Sequence, residues 1–144
     1  MRWLLFDKIL EMDPGKKAVG VRCFSRSELF FMDHFPGYPV VPGVLQIEMI
    51  AQVGGKCIME AIPGFLPVLT SVKSAQFRRA IQPGDRALIH AEVTLRKSYS
   101  IANGWIEVDG KKVASAEVMY GHVPIPAEKE IPGTDYLPGG RKGI

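Results

Sequence analysis

The chain has 144 residues, of which 47% are hydrophobic and 23% charged, and it carries a net charge of +3. That is one domain's length. The balance excludes a disordered or fibrous chain, and no run of about 18 apolar residues suggests a membrane span. Asp7 and Lys8 interrupt the apolar start, so a signal peptide is not expected and the predicted location is cytoplasmic. The basic excess is uneven: residues 1–70 carry seven basic and seven acidic side chains, residues 71–144 eleven and eight. Its centre is Lys73, Arg78, Arg79, Arg96 and Lys97. This cluster is too sparse, and too poor in interleaved aromatics, for nucleic acid. It suits a solvated strand face or a surface that meets an acidic partner.

In chain order, residues 2–12 and 17–25 read as two strands around the turn Asp13-Pro14-Gly15. A short aromatic segment, Ser27 to Met32, follows. The loop from 34 to 43 has prolines at 36, 39 and 42, which fix their own φ and bias the preceding residues toward extended backbone. His34 at its start is therefore held. A helix is predicted from Gly43 to Ala61. Glu48, Gln52, Lys56 and Glu60 recur every four residues as one polar stripe in an otherwise apolar helix, which marks it as buried. Gly54 and Gly55 cost helix propensity and suit a close approach by a neighbouring element.

Ile62-Pro63-Gly64 ends the helix, and the chain is strand-like from there to Tyr120. The predicted strands are Leu66–Arg79, Arg86–Tyr99, Trp105–Val108 and Lys112–Tyr120. In the second of these Ile89, Ala91, Val93 and Leu95 alternate with His90, Glu92, Thr94 and Arg96. Asp109-Gly110 is a hairpin signal. Residues 123–144 hold four prolines and four glycines and read as a surface tail, so the predicted domain is 1–122. Cys23 and Cys57 lack C-x-x-C spacing and read as buried free thiols. His90 and His122 read as surface residues, and no metal-ligand spacing is visible. One helix against several antiparallel strands predicts an α+β fold, a curved sheet wrapped around a central helix, with edges that favour dimers.

The stretch from Asp33 to Gln52, DHFPGYPVVPGVLQIEMIAQ, carries the chemistry. Histidine suits proton abstraction near neutral pH. A carboxylic acid on an apolar helix can stay protonated and donate. No Ser, Thr, Asp or Asn caps Gly43, so the first backbone N–H groups are available to a ligand oxygen, and glycine lets it approach closely.

This stretch resembles the signature of the hotdog-fold β-hydroxyacyl-acyl-carrier-protein dehydratases, the FabZ type of the FabA/FabZ family: H-F-P-G-x-P-x-x-P-G-V-L-x-x-E-x-x-A-Q. Gln76-Phe77-Arg78-Arg79-Ala80-Ile81-Gln82-Pro83-Gly84-Asp85 is similar to a second family segment, and Val108-Asp109-Gly110-Lys111 with Ala114 and Ala116 to its last hairpin. The resemblance covers about residues 3 to 120. Asp33 stands where the FabZ type usually has glycine, Ala80 replaces a usual proline, and the chain keeps only the end of the usual L-P-H-R-x-P-F-L-L-V-D start. Glutamate at 48, rather than the aspartate of the FabA type, implies plain dehydration.

The resemblance implies loss of water from a (3R)-3-hydroxyacyl thioester to give a trans-2-enoyl thioester, with no cofactor and no metal. His34 and Glu48 would be catalytic and come from different subunits. The Gly43 N–H would bind the thioester oxygen, and the Val40 carbonyl would orient His34. Phe31, Met49 and Phe77 are candidates for an acyl tunnel. Arg78 and Arg79 are candidates for contact with the acyl carrier protein. A homodimer with shared active sites is expected, with a trimer of dimers open as the larger assembly. The competing readings are a hotdog thioesterase and a non-catalytic acyl-thioester-binding subunit.

Overall fold

The computed structural model describes residues 3–126. Six strands form one antiparallel sheet: β1 (Lys8–Asp13), β2 (Lys17–Cys23), β3 (Phe65–Phe77), β4 (Arg86–Leu95), β5 (Tyr99–Val108) and β6 (Lys111–Pro124), in the spatial order β1-β2-β4-β5-β6-β3. A four-residue helix, α1 (Phe30–Asp33), precedes the long helix α2 (Gly43–Ala61). This is the hotdog arrangement, α+β, with α2 lying on one face of the sheet.

The helix can sit close because of register. Ala18, Ala91, Gly104, Ala116 and Ala75 pair in succession across β2, β4, β5, β6 and β3. They make a trough of small side chains across five strands. Ile50 of α2 packs over Gly104, where an added Cβ would also lie 2.7 Å from the His90 carbonyl. Gly54 answers from the helix side: a Cβ there would lie 2.7 Å from the Tyr120 hydroxyl and 3.0 Å from Ala102 Cβ. Larger residues flank the trough, with Ile89, Ile106, Val118 and Tyr120 almost completely buried. As the alternation predicts, Ala87, Ile89 and Ala91 face the core while Glu92 and Thr94 face out.

Several boundaries differ from the predicted ones. The first strand starts at Lys8, because residues 3–5 lie against α2 and spend backbone groups on side chains: Leu5 N–H donates to Gln52 Oε1 at 2.8 Å, and Arg22 Nη1 donates to the Leu4 carbonyl at 3.2 Å. The predicted strand 86–99 ends at Leu95 and β5 already begins at Tyr99, ahead of the predicted Trp105, since the Arg96 N–H donates to the Tyr99 carbonyl at 2.9 Å and closes a turn that contains neither Gly nor Pro. Strand β6 overruns the boundary drawn at 122 and pairs through Val123 and Pro124 with Leu66 and Phe65. The rest of the predicted tail, from residue 127, lies outside the described residues. Cys57 is buried as expected, but Cys23 is exposed, because β2 ends there and its side chain points away from the core. At the Asp109-Gly110 hairpin both residues have positive φ, 53° and 75°, as the sequence signal requires.

Candidate active site

His34 follows α1, whose carbonyl at Phe30 accepts the His34 N–H at 3.1 Å. The imidazole Nδ1 lies 3.1 Å from the Val40 carbonyl oxygen, and the Val40 N–H returns to the His34 carbonyl at 2.9 Å. The ring also stacks on Phe35, centroids 4.1 Å apart. The next residue ties the loop to the body of the protein: Val41 N–H donates to the Ile81 carbonyl at 2.8 Å. A carbonyl only accepts, so Nδ1 carries the hydrogen and Nε2 of the neutral ring keeps its lone pair. Asp33 is exposed and makes no ion pair with His34 among the described residues.

The half-buried His34 lines a cavity of about 360 Å³ with Val40, Val41, Gly43, Gln46, Phe77 and Arg78 among its walls. Pro42 is the N-cap of α2 and supplies no side-chain cap. Among the described residues neither the Gly43 nor the Val44 N–H has an acceptor. A helix start with free N–H groups, lining the same cavity as an imidazole, can hold a developing oxyanion beside a base. Phe77 closes over Gly43, with its ring 3.0 to 3.3 Å from where a Cβ would stand.

Glu48 lies on another cavity, of about 500 Å³, lined by Trp3, Ala51, Gln52, Met59, Leu66, Leu69 and Tyr120 among others. Its Oε1 accepts from Trp3 Nε1 and from Gln52 Nε2, each at 3.1 Å. The polar stripe therefore splits by depth. Glu48 and Gln52 lie half-buried under residues 3–5, while Lys56 and Glu60 are exposed and pair with each other at 2.9 Å. The structure thus brings His34, Val40, Gly43, Phe77, Arg78 and Arg79 to one cavity and Glu48 to a different one of the same chain.

Two of the expected tunnel residues are elsewhere. Phe31 is 5% exposed and packs edge-on against Phe24 and Phe30, and Met49, on the buried side of α2, is 1% exposed. Both are core residues and line neither cavity. Arg78 is held by Gln76 Oε1 at 2.9 Å, whereas Arg79 stands 3.6 Å from Asp109 and 3.9 Å from Asp85. His90 stacks on Trp105 at 4.8 Å and His122 meets Ser100 Oγ at 2.6 Å, so neither joins His34. Among the described residues no group of three His, Cys, Asp or Glu could hold a metal ion.

Sequence reasoning missed Gln46 and Trp3. Gln46 is buried, donates Nε2 to the Val41 carbonyl at 3.1 Å, and braces the loop that holds His34. Its signal was a polar residue on the apolar side of α2, away from the stripe. Trp3 gave no signal, because its contact with Glu48 spans 45 positions.

A family model for the FabA-like domain matches residues 1–117. The 3-hydroxyacyl-[acyl-carrier-protein] dehydratase FabZ of Hydrogenobaculum sp. is 41% identical over 121 residues, covering 81% of this chain and 82% of the relative. The protein of the same name from Desulforamulus reducens is 43% identical over 121 residues, covering 82% and 85%. Among solved structures, the dehydratase heterocomplex ApeI:P from Xenorhabdus doucetiae superposes with a TM-score of 0.64 at 20% identity, covering 81% of this chain and 96% of that one, a likeness of fold. The chain belongs to the FabA-like family and, within that hotdog-fold family, to the FabZ type.

Proposed function

We propose that this protein is a hydro-lyase of fatty acid biosynthesis that converts (3R)-3-hydroxyacyl groups, carried on acyl carrier protein, into trans-2-enoyl groups. The observation that carries this reading is the His34 cavity, which a base anchored through Nδ1 shares with an uncapped helix start. His34 Nε2 takes the α-proton. The charge that develops on the thioester oxygen is met by the Gly43 N–H. The C–O bond at C3 breaks as Glu48 of the partner subunit gives its proton to the departing hydroxyl, and water leaves. The protein works without a cofactor, and a cytoplasmic location is part of the reading.

The need for a second copy is supported by β3. This strand is an edge of the sheet and is exposed along most of its 13 residues, including Phe65, Val68, Leu69, Val72 and Phe77. A long apolar edge is a pairing surface. The His34 cavity reaches the Phe77 end of β3 and the Glu48 cavity its Leu66–Leu69 half. Antiparallel pairing of two β3 strands about their centre lays one end beside the other. His34 of one copy then approaches Glu48 of the other, and each dimer has two shared sites. Arg78, on the rim of the His34 cavity, suits the acidic carrier.

The test is to supply a 3-hydroxyacyl thioester and follow enoyl absorbance and free thiol together. Dehydration yields enoyl product without thiol; thiol without enoyl product identifies a thioesterase instead. Mixing His34→Ala with Glu48→Gln chains, each inactive, restores about a quarter of wild-type activity if sites are shared by random dimers, since half the dimers hold one intact site. No recovery on mixing refutes the shared site.

A further inference from the structure

Glu48 is held by a network that starts in the N-terminal segment. Residues 3–7 are fixed at several points. Leu5 is 3% exposed in the core, its N–H donates to Gln52 Oε1 at 2.8 Å, and Asp7 Oδ2 accepts the Cys23 N–H at 2.7 Å. Gln52 Nε2 reaches the Trp3 carbonyl at 3.2 Å and Glu48 Oε1 at 3.1 Å. The Trp3 indole N–H then reaches the same Oε1 at 3.1 Å. Backbone and side chain of Trp3 thus both engage the Glu48–Gln52 pair.

The consequence concerns where a proton can sit. A carboxyl oxygen has about two lone-pair sites. Two N–H donors fill those of Oε1. Among the described residues no donor reaches Oε2. A protonated Glu48 therefore carries its hydrogen on Oε2, and Oε1 is the carbonyl-type acceptor. Gln52 alone would leave half of Oε1 open and the carboxyl free to exchange roles by rotation.

We infer that Trp3 is a positioning residue, which with Gln52 locks Glu48 so that Oε2 alone presents the proton to the shared site. This rests on the dehydratase reading above. It adds a residue that acts through Glu48 and touches no reacting atom.

The test uses the full chain and Trp3→Phe, which keeps an aromatic ring, though a smaller one, and removes the N–H. Trp3 is 58% exposed, so the variant should fold, and an unchanged melting temperature checks this. The expected result is kcat lowered about fivefold or more with KM unchanged. Independently, the indole ¹H–¹⁵N resonance that disappears in Trp3→Phe should move in Glu48→Gln, while that of Trp105, which donates to Glu107 at 3.2 Å, stays in place. A Trp3→Phe protein as fast as wild type, or a Trp3 resonance blind to Glu48→Gln, overturns the inference and leaves the dehydratase reading standing. A wild-type protein that turns over no 3-hydroxyacyl thioester overturns both.

Discussion

His34 and Val40 are locked to each other by two hydrogen bonds, Nδ1 to the Val40 carbonyl at 3.1 Å and the Val40 N–H to the His34 carbonyl at 2.9 Å. The first leaves Nε2 as the basic nitrogen. The second makes the loop a closed unit whose prolines oppose its opening. Replacing His34 by Ala should lower kcat by about 10²–10⁴-fold, the usual worth of a positioned general base. The melting temperature should stay close to that of wild type, since the ring is only half-buried. A stopped-assay rate and a thermal melt on the same preparation check both.

Gly43 is where substrate and helix backbone are proposed to meet. A methyl added there would lie 3.0 Å from the Phe77 ring and beside the free N–H groups. Gly43→Ala should lower kcat/KM about 10- to 100-fold, the scale of a displacement of roughly an ångström at the reacting atoms. Phe77 is 49% exposed and can swing away, so the fold should survive. Steady-state kinetics of Gly43→Ala, with and without Phe77→Ala, measures whether the smaller side chain gives some of the loss back.

The two arginines on the rim are unequal. Arg79 has Asp109 and Asp85 within 4.0 Å, while Arg78 makes no ion pair among the described residues. Arg78→Glu should raise KM for a carrier-borne substrate by about 5- to 10-fold at low salt, with the effect fading as salt rises. Arg79→Glu should do less. A small thioester analogue should show neither change. Comparing the two substrates across a salt series checks this.

Tyr120 ties β6 to the middle of α2 by donating to the Ala51 carbonyl at 2.7 Å. Tyr120→Phe should cost about 1 kcal/mol. Burial, with Glu48 and then Cys57 adding Coulombic repulsion, pushes the phenol above its ordinary value of 10.0. The folded state thus keeps a proton that the unfolded state releases first. This contribution is fully present below pH 10 and is lost as pH rises toward the folded value. Burial also raises Cys57 above 9.0, in the same direction. Stability should therefore decline above about pH 9–10. The decline should be shallower in Tyr120→Phe, as denaturant melts at pH 8 and 10.5 will show.

Gly104→Ala is the sharpest test of the small-residue trough. The added methyl meets Ile50 and the His90 carbonyl, which is backbone and cannot yield. A loss of about 1–3 kcal/mol is expected from overpacking. Ala116→Gly, in the same cross-sheet row, should cost no more than about 1 kcal/mol, since it creates no clash. Paired denaturant melts of the two variants check the difference.

The sequence by itself determined the local elements and the identity of the chemistry. The helix from Gly43 to Ala61 was legible to the residue, because Pro42 and Ile62-Pro63-Gly64 bracket a run whose polar side chains repeat every four residues. The β4 and β6 faces followed from alternation, and the stretch from His34 to Glu48 marked the site proposed here. Only tertiary structure decided the rest. The trough from Ala18 to Ala75 exists through register between strands far apart in the chain. Phe31 and Met49 were apolar in sequence whether they lined a tunnel or filled the core, and packing assigned them to the core. Packing likewise put His34 and Glu48 on two different cavities of one chain. The contact from Trp3 to Glu48 needed residues 3–5 to lie against the helix, an arrangement held by Leu5, Gln52 and Arg22 together. Local pattern carries no record of such long-range pairings, because each partner's residue type is compatible with many other neighbours.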